Sequence, residues 1–293
     1  MPRPLFCLIA VVSLCAAGGC GSDPPTTSTP TAPQGQNGST AFDPTACGTI
    51  TGAVTWIGPL PEIIRLSHSV PHADGKSYET RPVTLANAPH IEWATRGVGD
   101  AVVFLRGVDP TRARPWDLPS VSVEFRDSQI MVRQGKQLGR AGFVRKGAEV
   151  EMRSAEKEFQ VLRGRGAAFF AVAFPDPDKP VKRTFDTCGR VELSSAAGLY
   201  WQAADLFVCD HPYYALTTPD GGFCFDRVPA GTYDLVVWHP SWIVTRADRN
   251  PESGVLNRLY YSPPLELSRS VTVSPGRTTL ANLTLPANLT PQK

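Results

Sequence analysis

The chain has 293 residues, 42% of them hydrophobic, with 28 prolines and 25 glycines, which is apolar content for one large core or two smaller ones. Its 29 basic and 27 acidic residues leave a formal charge of +2, so no single-sign field marks it for nucleic acid or for an anionic membrane surface. Abundant Pro and Gly between short β-branched runs exclude a protein of long helices and point to many strands and turns.

The first residues read as an export signal. Arg3 supplies the positive start, and residues 5–14 form an apolar run too short to span a bilayer. Ala16-Ala17-Gly18-Gly19-Cys20 places small residues directly before a cysteine and resembles a bacterial lipobox, with Ala17 standing where that motif usually has Leu. The resemblance implies a signal over residues 1–19, acylation of Cys20, and a mature protein anchored by lipid at the cell envelope, periplasmic or outer-surface. An ordinary signal peptide cut nearby is the alternative. Residues 20–46 are dominated by Pro, Thr, Ser and Gly, with Phe42 the only large apolar side chain. Such a stretch buries too little surface to offset its ordering entropy and reads as a tether.

Seven cysteines fall into two sets. Cys7, Cys15 and Cys20 belong to the leader, whereas Cys47, Cys188, Cys209 and Cys224 lie in the body. Four cysteines in an exported body allow up to two disulfides in three pairings, with buried free thiols as the alternative. None forms a Cys-x-x-Cys, which argues against a zinc ribbon or a thioredoxin-like site.

Taken in order, the body is a succession of strands. Residues 47–58 alternate Ile50, Val54 and Trp56 with small residues and stop at Gly58-Pro59. Residues 101–108 form the most hydrophobic run of the body and read as a strand buried on both faces. A Pro/Arg/Trp loop covers 109–119. Strands are then expected over 121–126, 129–133, 142–145, 148–153, 159–162, 167–174, 185–193 and 198–208. Residues 214–217, 222–226 and 232–238 make three more, joined by Pro219-Asp220-Gly221 and Pro229-Ala230-Gly231, in which Pro and Gly have the dihedral preferences of turns. Residues 256–261, 265–273 and 278–285 complete the series. No twelve-residue window has a helical period, so the fold class is all-β with little helix.

Thr217, Asp220-Gly221, Phe223, Phe225, Val228-Pro229, Gly231 and Tyr233 together resemble the carboxypeptidase regulatory-like domain, a transthyretin-like sandwich. Gly48-Thr49-Ile50-Thr51-Gly52-Ala53-Val54 resembles the opening strand of that domain, far upstream. The resemblance implies a discontinuous β-sandwich over 47–87 and 204–286, interrupted by an insertion at 88–203, with a tail at 287–293. Within the insertion, Ala101-Val102-Val103-Phe104-Leu105 and Gly142-Phe143-Val144-Arg145-Lys146-Gly147 are similar to a cupredoxin, a Greek-key β-barrel or sandwich. A type 1 copper site takes two His, a Cys thiolate and usually a Met. Gln160 stands in the first ligand region, and Leu199 and Gln202 stand in the second, where Cys, His and Met are absent. The resemblance therefore implies a cupredoxin scaffold whose copper site is lost, with no cofactor. As a whole the chain is similar to bacterial exported proteins that pair these two domains.

The other chemistry-bearing residues each have a plain structural reading. His211 and His239 flank the strands over 214–238 and would approach one region, with Asp205, Asp210 and Tyr213 as further oxygen donors. A metal pair is one reading and satisfied structural histidines the other. His68 and His72 have the i, i+4 spacing of helical zinc ligands, but Val70-Pro71 disfavours a helix and no HExxH is present. Ser194-Ser195 lacks the GxSxG context of a nucleophile, and the Asp220 and Asp176-Pro177-Asp178 carboxylates are explained by turns. Arg112, Arg114, Arg163 and Arg165 read as solvated turns and strand faces. The many Trp and Tyr residues exceed what turns need, and a subset would suit a glycan- or protein-binding surface. The expected function is therefore non-enzymatic: binding or structural work at the envelope with an unidentified protein or glycan partner. Redox or metal handling through His211, His239 or the cysteines is the alternative, and a carbohydrate-binding module is a further one.

Overall fold

The computed structural model describes residues 41–71, 77–83, 85–196, 199–252 and 256–286. The expected signal, Cys20, the tether up to residue 40, His72 and the tail at 287–293 lie outside them. Among the described residues there is no α-helix. A single 3-10 turn, Pro44–Ala46, precedes the first strand, and Asp43 caps it by accepting from the Thr45 amide at 2.9 Å. The fold is an all-β sandwich architecture, as the spacing of turns and apolar runs predicts.

One pair of facing sheets is built from the two ends of the chain. Cys47–Ile57 runs antiparallel to Gly222–Pro229, with Ile50 opposite Phe225 and Gly52 opposite Phe223. On its other edge it runs parallel to Thr278–Leu280 and then to Leu283–Pro286. Gly52 sits where the strand changes between these two partners, and a β-carbon there would strike the Ala281 carbonyl. The facing sheet has the order Tyr214–Leu216, Val102–Arg106, Gly231–His239, Leu265–Val273. Ile50, Val54, Phe223 and Phe225 from one sheet meet Val103, Leu105, Leu235 and Val237 from the other. The period-two alternation of each strand sends these side chains inward, and each fully buried one stabilises the fold by about 2 kcal/mol relative to exposure.

A second pair of sheets comes from the middle of the chain. Ala141–Arg145, Ala203–Cys209, Gly189–Ser195, Gln160–Gly166 and Phe170–Phe174 lie side by side in that order. Opposite them lie Val181–Thr184, Glu149–Ser154, Val121–Arg126, Gln129–Gln134 and Gln137–Gly139. Phe125, Ile130 and Met152 face Leu162, Leu193 and Leu206 across this second core. Lys146-Gly147 turns the chain between Ala141–Arg145 and Glu149–Ser154, with Gly147 at φ +78°.

A third apolar cluster joins the two sandwiches. Val102 and Trp238 present the outer face of the end-derived sheet to Phe143, Phe207 and Cys209 on the outer face of the central one. Phe207 and Trp238 pack edge to face at 5.2 Å between centroids, and Phe104 stacks on Tyr214 at 5.0 Å. Val102–Arg106 is therefore buried on both faces, as its unbroken apolar run predicts.

This packing corrects the expected division at 88 and 203. Val102–Arg106 pairs with Tyr214–Leu216 and Gly231–His239 and belongs to the end-derived sandwich, not to the insertion. Ala203–Cys209, expected to belong mostly to the end-derived part, pairs with Ala141–Arg145 and Gly189–Ser195 and belongs to the central sandwich. The two cores divide between Ala113 and Val121 and again between Val208 and Tyr213. A strand with two apolar faces fits either sandwich equally well by composition, and only its pairing decides.

Candidate ligand-binding cleft

The outer face of the central sheet changes character along its length. At one end Phe143, Phe207 and Cys209 form the contact just described. Towards the other end the same face turns polar, because cross-strand register places Arg165 opposite Glu192 and Glu192 opposite Asp205. The neighbouring row places Arg163 opposite Ser194 and Ser194 opposite Ala203. Side chains two apart on a strand share a face, so Arg163, Arg165, Arg190, Glu192, Ser194 and Asp205 converge on one surface. The end-derived sandwich does not cover this part tightly. Two adjoining cavities of about 230 and 330 Å³ remain, and Asn87, Ala203, Ala204, Asp205 and Pro240 line both.

Asp205 is the most perturbed carboxylate of the cleft. It is 9% exposed. Burial raises its pKa to about 6 against the opposing charge and hydrogen bond of Arg190, whose Nε donates to Oδ1 at 2.7 Å. The Arg190 guanidinium also lies 4.8 Å from the centre of the Trp238 ring, tying the polar row to the opposite sandwich through a cation–π contact. Glu192 approaches Arg190 at 3.5 Å. The smaller cavity also takes Arg163, Arg165 and Arg258 into its wall, with Tyr200 and Tyr261 beside them. Among the described residues none of these three arginines has a carboxylate partner.

The larger cavity is walled by a different set. Arg140 donates to the Gln129 side-chain oxygen at 2.6 Å and to the Trp201 and Ala203 carbonyls, each at 3.3 Å. Its burial lowers its pKa, and among the described residues it too lacks a carboxylate. His90 pairs with Asp100 at 2.8 Å, a hydrogen bond that raises the His90 pKa and lowers that of Asp100. His239 lies in the same wall, with Nδ1 hydrogen-bonded to the Pro240 carbonyl at 2.7 Å. Burial pushes its pKa down to about 4.

The residues singled out from the sequence are dispersed. His239 follows Trp238, which is paired with Val102, whereas Leu105 donates its amide to the carbonyl of Tyr213, two residues after His211. The two histidines thus sit towards opposite ends of one strand, about 10 Å or more apart at ~3.3 Å per residue. They do not approach one region as expected. His211 is buried beside Tyr213 and Tyr214, and its Nδ1 accepts from the Tyr213 amide at 3.3 Å. Burial lowers its pKa. His68 lies on the strand Leu66–Pro71, not on a helix. Among the described residues no three His, Cys, Asp or Glu side chains group as a metal site would require.

Gln160, Leu199 and Gln202 lie towards one end of the central sheet. Leu199 and Gln202 line the smaller cavity. Gln160 and Gln202 are 6% and 1% exposed, and Gln160 Oε1 and both amide atoms of Gln202 are buried without a hydrogen-bond partner among the described residues. The disulfides expected among Cys47, Cys188, Cys209 and Cys224 are not formed. Cys47 and Cys209 are buried and donate to the Asp43 and Phe207 carbonyls, each at 3.1 Å, while Cys188 and Cys224 are exposed. Cys188 and Cys209 are cross-strand neighbours, next in register to the Gly189–Val208 pair, yet both are free thiols, one exposed and one buried.

Arg114, read as solvated, is instead packed under Tyr213 at 5.5 Å from its ring, paired with Asp226 and, at 3.2 Å, with Asp117. Tyr213 is fully buried, accepts from the Arg114 amide at 3.0 Å and donates to the Arg227 carbonyl at 2.7 Å, so this corner is structural. Of the tryptophans, Trp56, Trp201, Trp238 and Trp242 are buried, and Trp93 is 76% exposed. The polar row itself went unremarked in the sequence. Its signal was present in the Arg-x-Arg and Arg-x-Glu alternation over 163–165 and 190–192, but register alone brings the two strands together.

No family model and no curated protein matches the chain.

Proposed function

We propose that this is a non-enzymatic binding protein of the cell envelope, held there by lipid on Cys20 and taking its ligand in the cleft between the two sandwiches. In this reading residues 1–19 are the signal and residues 20–46 the tether. The end-derived sandwich is the carboxypeptidase regulatory-like part, and the central one is a cupredoxin-like scaffold whose ligand positions are Gln160, Leu199 and Gln202. The observation that carries the reading is the pair of adjoining cavities sharing Asn87, Ala203, Ala204, Asp205 and Pro240. Small-molecule sites favour such junctions, and at about 230 and 330 Å³ the two together reach the usual size of a ligand pocket.

The cleft offers recognition chemistry. Its arginines and Tyr200, Tyr261 and Asn87 are donors and flat surfaces for a polar ligand. A nucleophile with an adjacent base is not assembled among the described lining residues, and Asp205 is committed to Arg190. A thermal-shift screen of small molecules and short glycans tests the reading, run on the full chain and on Ser194→Trp, which fills the smaller cavity. Ligands that raise the melting temperature of the parent and not of the variant are expected. Stabilisation equal in both, turnover of a substrate by the pure protein, or stoichiometric copper with a visible absorption band would each overturn it.

A further inference from the structure

We propose that the smaller cavity binds an oxyanion, the carboxylate or phosphate ester of a small organic molecule, through Arg163, Arg165, Arg190 and Arg258. The inference rests on the cleft being a ligand site and names the chemistry of what enters it. Three arginines come from two adjacent strands of one sheet face, and Arg258 comes from the strand Leu256–Tyr261 of a separate two-stranded sheet. Cations therefore reach the cavity from two sheets rather than forming a stripe along one strand.

The charge balance inside the cavity is uneven. Four arginines line it against two carboxylates, Glu192 and Asp205. Both carboxylates are directed at Arg190, at 3.5 and 2.7 Å. Arg163, Arg165 and Arg258 are left without a carboxylate among the described residues, and the Arg258 guanidinium lies 4.6 Å from the centre of the Tyr260 ring. Guanidinium groups around a concave space repel one another, and an oxyanion relieves that repulsion while accepting paired N–H donors from their planar forks.

A second feature of the same wall points to a ligand. Gln202 lines the cavity, is 1% exposed, and among the described residues neither its amide nitrogen nor its amide oxygen has a partner. A buried amide left unpaired in this way is costly, and a ligand entering beside it would supply the missing donor and acceptor. The cavity, at about 230 Å³, admits a small molecule and not a folded partner.

Isothermal titration of the full chain in detergent, with glucuronate, glucose 6-phosphate, inorganic phosphate and neutral glucose as separate probes, tests the inference. At least one of the two charged sugars should bind at one per chain and more tightly than glucose, with affinity falling as salt rises. The comparison of glucuronate with glucose 6-phosphate tells carboxylate from phosphate ester, and inorganic phosphate tells whether the oxyanion alone suffices. Arg163→Gln with Arg165→Gln should weaken binding at least tenfold, while Lys136→Gln, on the distant turn after Gln129–Gln134, should leave it unchanged. If the double variant fails to fold, Arg258→Gln alone provides the same comparison. Equal binding of glucose and the charged sugars, binding unaffected by the arginine substitutions, or silence of all three anions would overturn the inference. A neutral ligand found by the Ser194→Trp screen would then leave the cleft reading standing without it.

Discussion

The side chain of Arg190 joins Asp205 to Trp238: its Nε donates to the carboxylate at 2.7 Å while its guanidinium lies 4.8 Å from the indole centre. A carboxylate from the central sheet and an aromatic ring from the end-derived sheet thus share one cation. The pair does not hold Asp205 fully ionised, because burial outweighs the attraction and its pKa rises to about 6.

That shift fixes a sign for stability against pH. The folded pKa lies above the ordinary value of 3.8, so the folded state holds the proton more tightly than the unfolded chain does. The contribution of Asp205 is fully present below about pH 4 and is lost as pH rises through about 6. With one pKa unit worth about 1.4 kcal/mol, the change is on the order of 3 kcal/mol. Asp205→Asn should remove that dependence. Urea denaturation across the window checks this, and an unchanged slope in the variant would refute it.

His239 titrates in the opposite sense. Burial lowers its pKa from 6.5 to about 4, against the hydrogen bond to Pro240. Its contribution is present above 6.5 and is lost as pH falls through about 4. His90 and Asp100 face it across the larger cavity and act with opposite signs. In the parent protein the two buried groups offset each other between about pH 4 and 6. His239→Gln should therefore reveal the Asp205 slope, with stability falling as pH rises, whereas Asp205→Asn should reveal the reverse. Two variants with slopes of the same sign would contradict the assignment.

The thiols give a third expectation. In the folded protein a water-soluble disulfide reagent should modify Cys188 and Cys224, which are exposed, and spare Cys47 and Cys209 until denaturant is added. Burial raises the pKa of Cys209 far above the ordinary thiol value, so little thiolate is present to react. Mass spectrometry of the labelled peptides reads this directly. Labelling of Cys209 without denaturant would show that the contact between the sandwiches opens.

Strand positions were largely legible in the sequence because each strand carries its own alternation and its own stops. The three strands Tyr214–Leu216, Gly222–Pro229 and Gly231–His239 fall where Asp220-Gly221 and Pro229 bracket them. The pairing of Gly48 to Ala53 with 222–228 was not legible, because it joins segments far apart in the chain. The allegiance of Val102–Arg106 was not, since both of its faces are apolar. The cleft was legible least of all. Asn87, Arg163, Arg190, Asp205, Pro240 and Arg258 are scattered along the chain, and each has an ordinary local reading. Their convergence is a property of register across three sheets, which no local pattern encodes.

The partnership of the first strand also sets an order of assembly. Thr51 bonds to Phe223 across 172 residues of chain, and the parallel partners of the same strand come later still, at Thr278–Leu280 and Leu283–Pro286. As the chain emerges from its N-terminus, Cys47–Ile57 finds only a short bridge at Gly97 before its main partners, which follow after most of the protein. Every strand of the central sandwich, by contrast, lies between Val121 and Cys209. That sandwich can close while the first strand still lacks its main partners and is open to other extended chains. The step that completes the molecule is the late return of its last strands to its first, so truncation near the C-terminus would strand an early, exposed edge rather than merely shorten a domain.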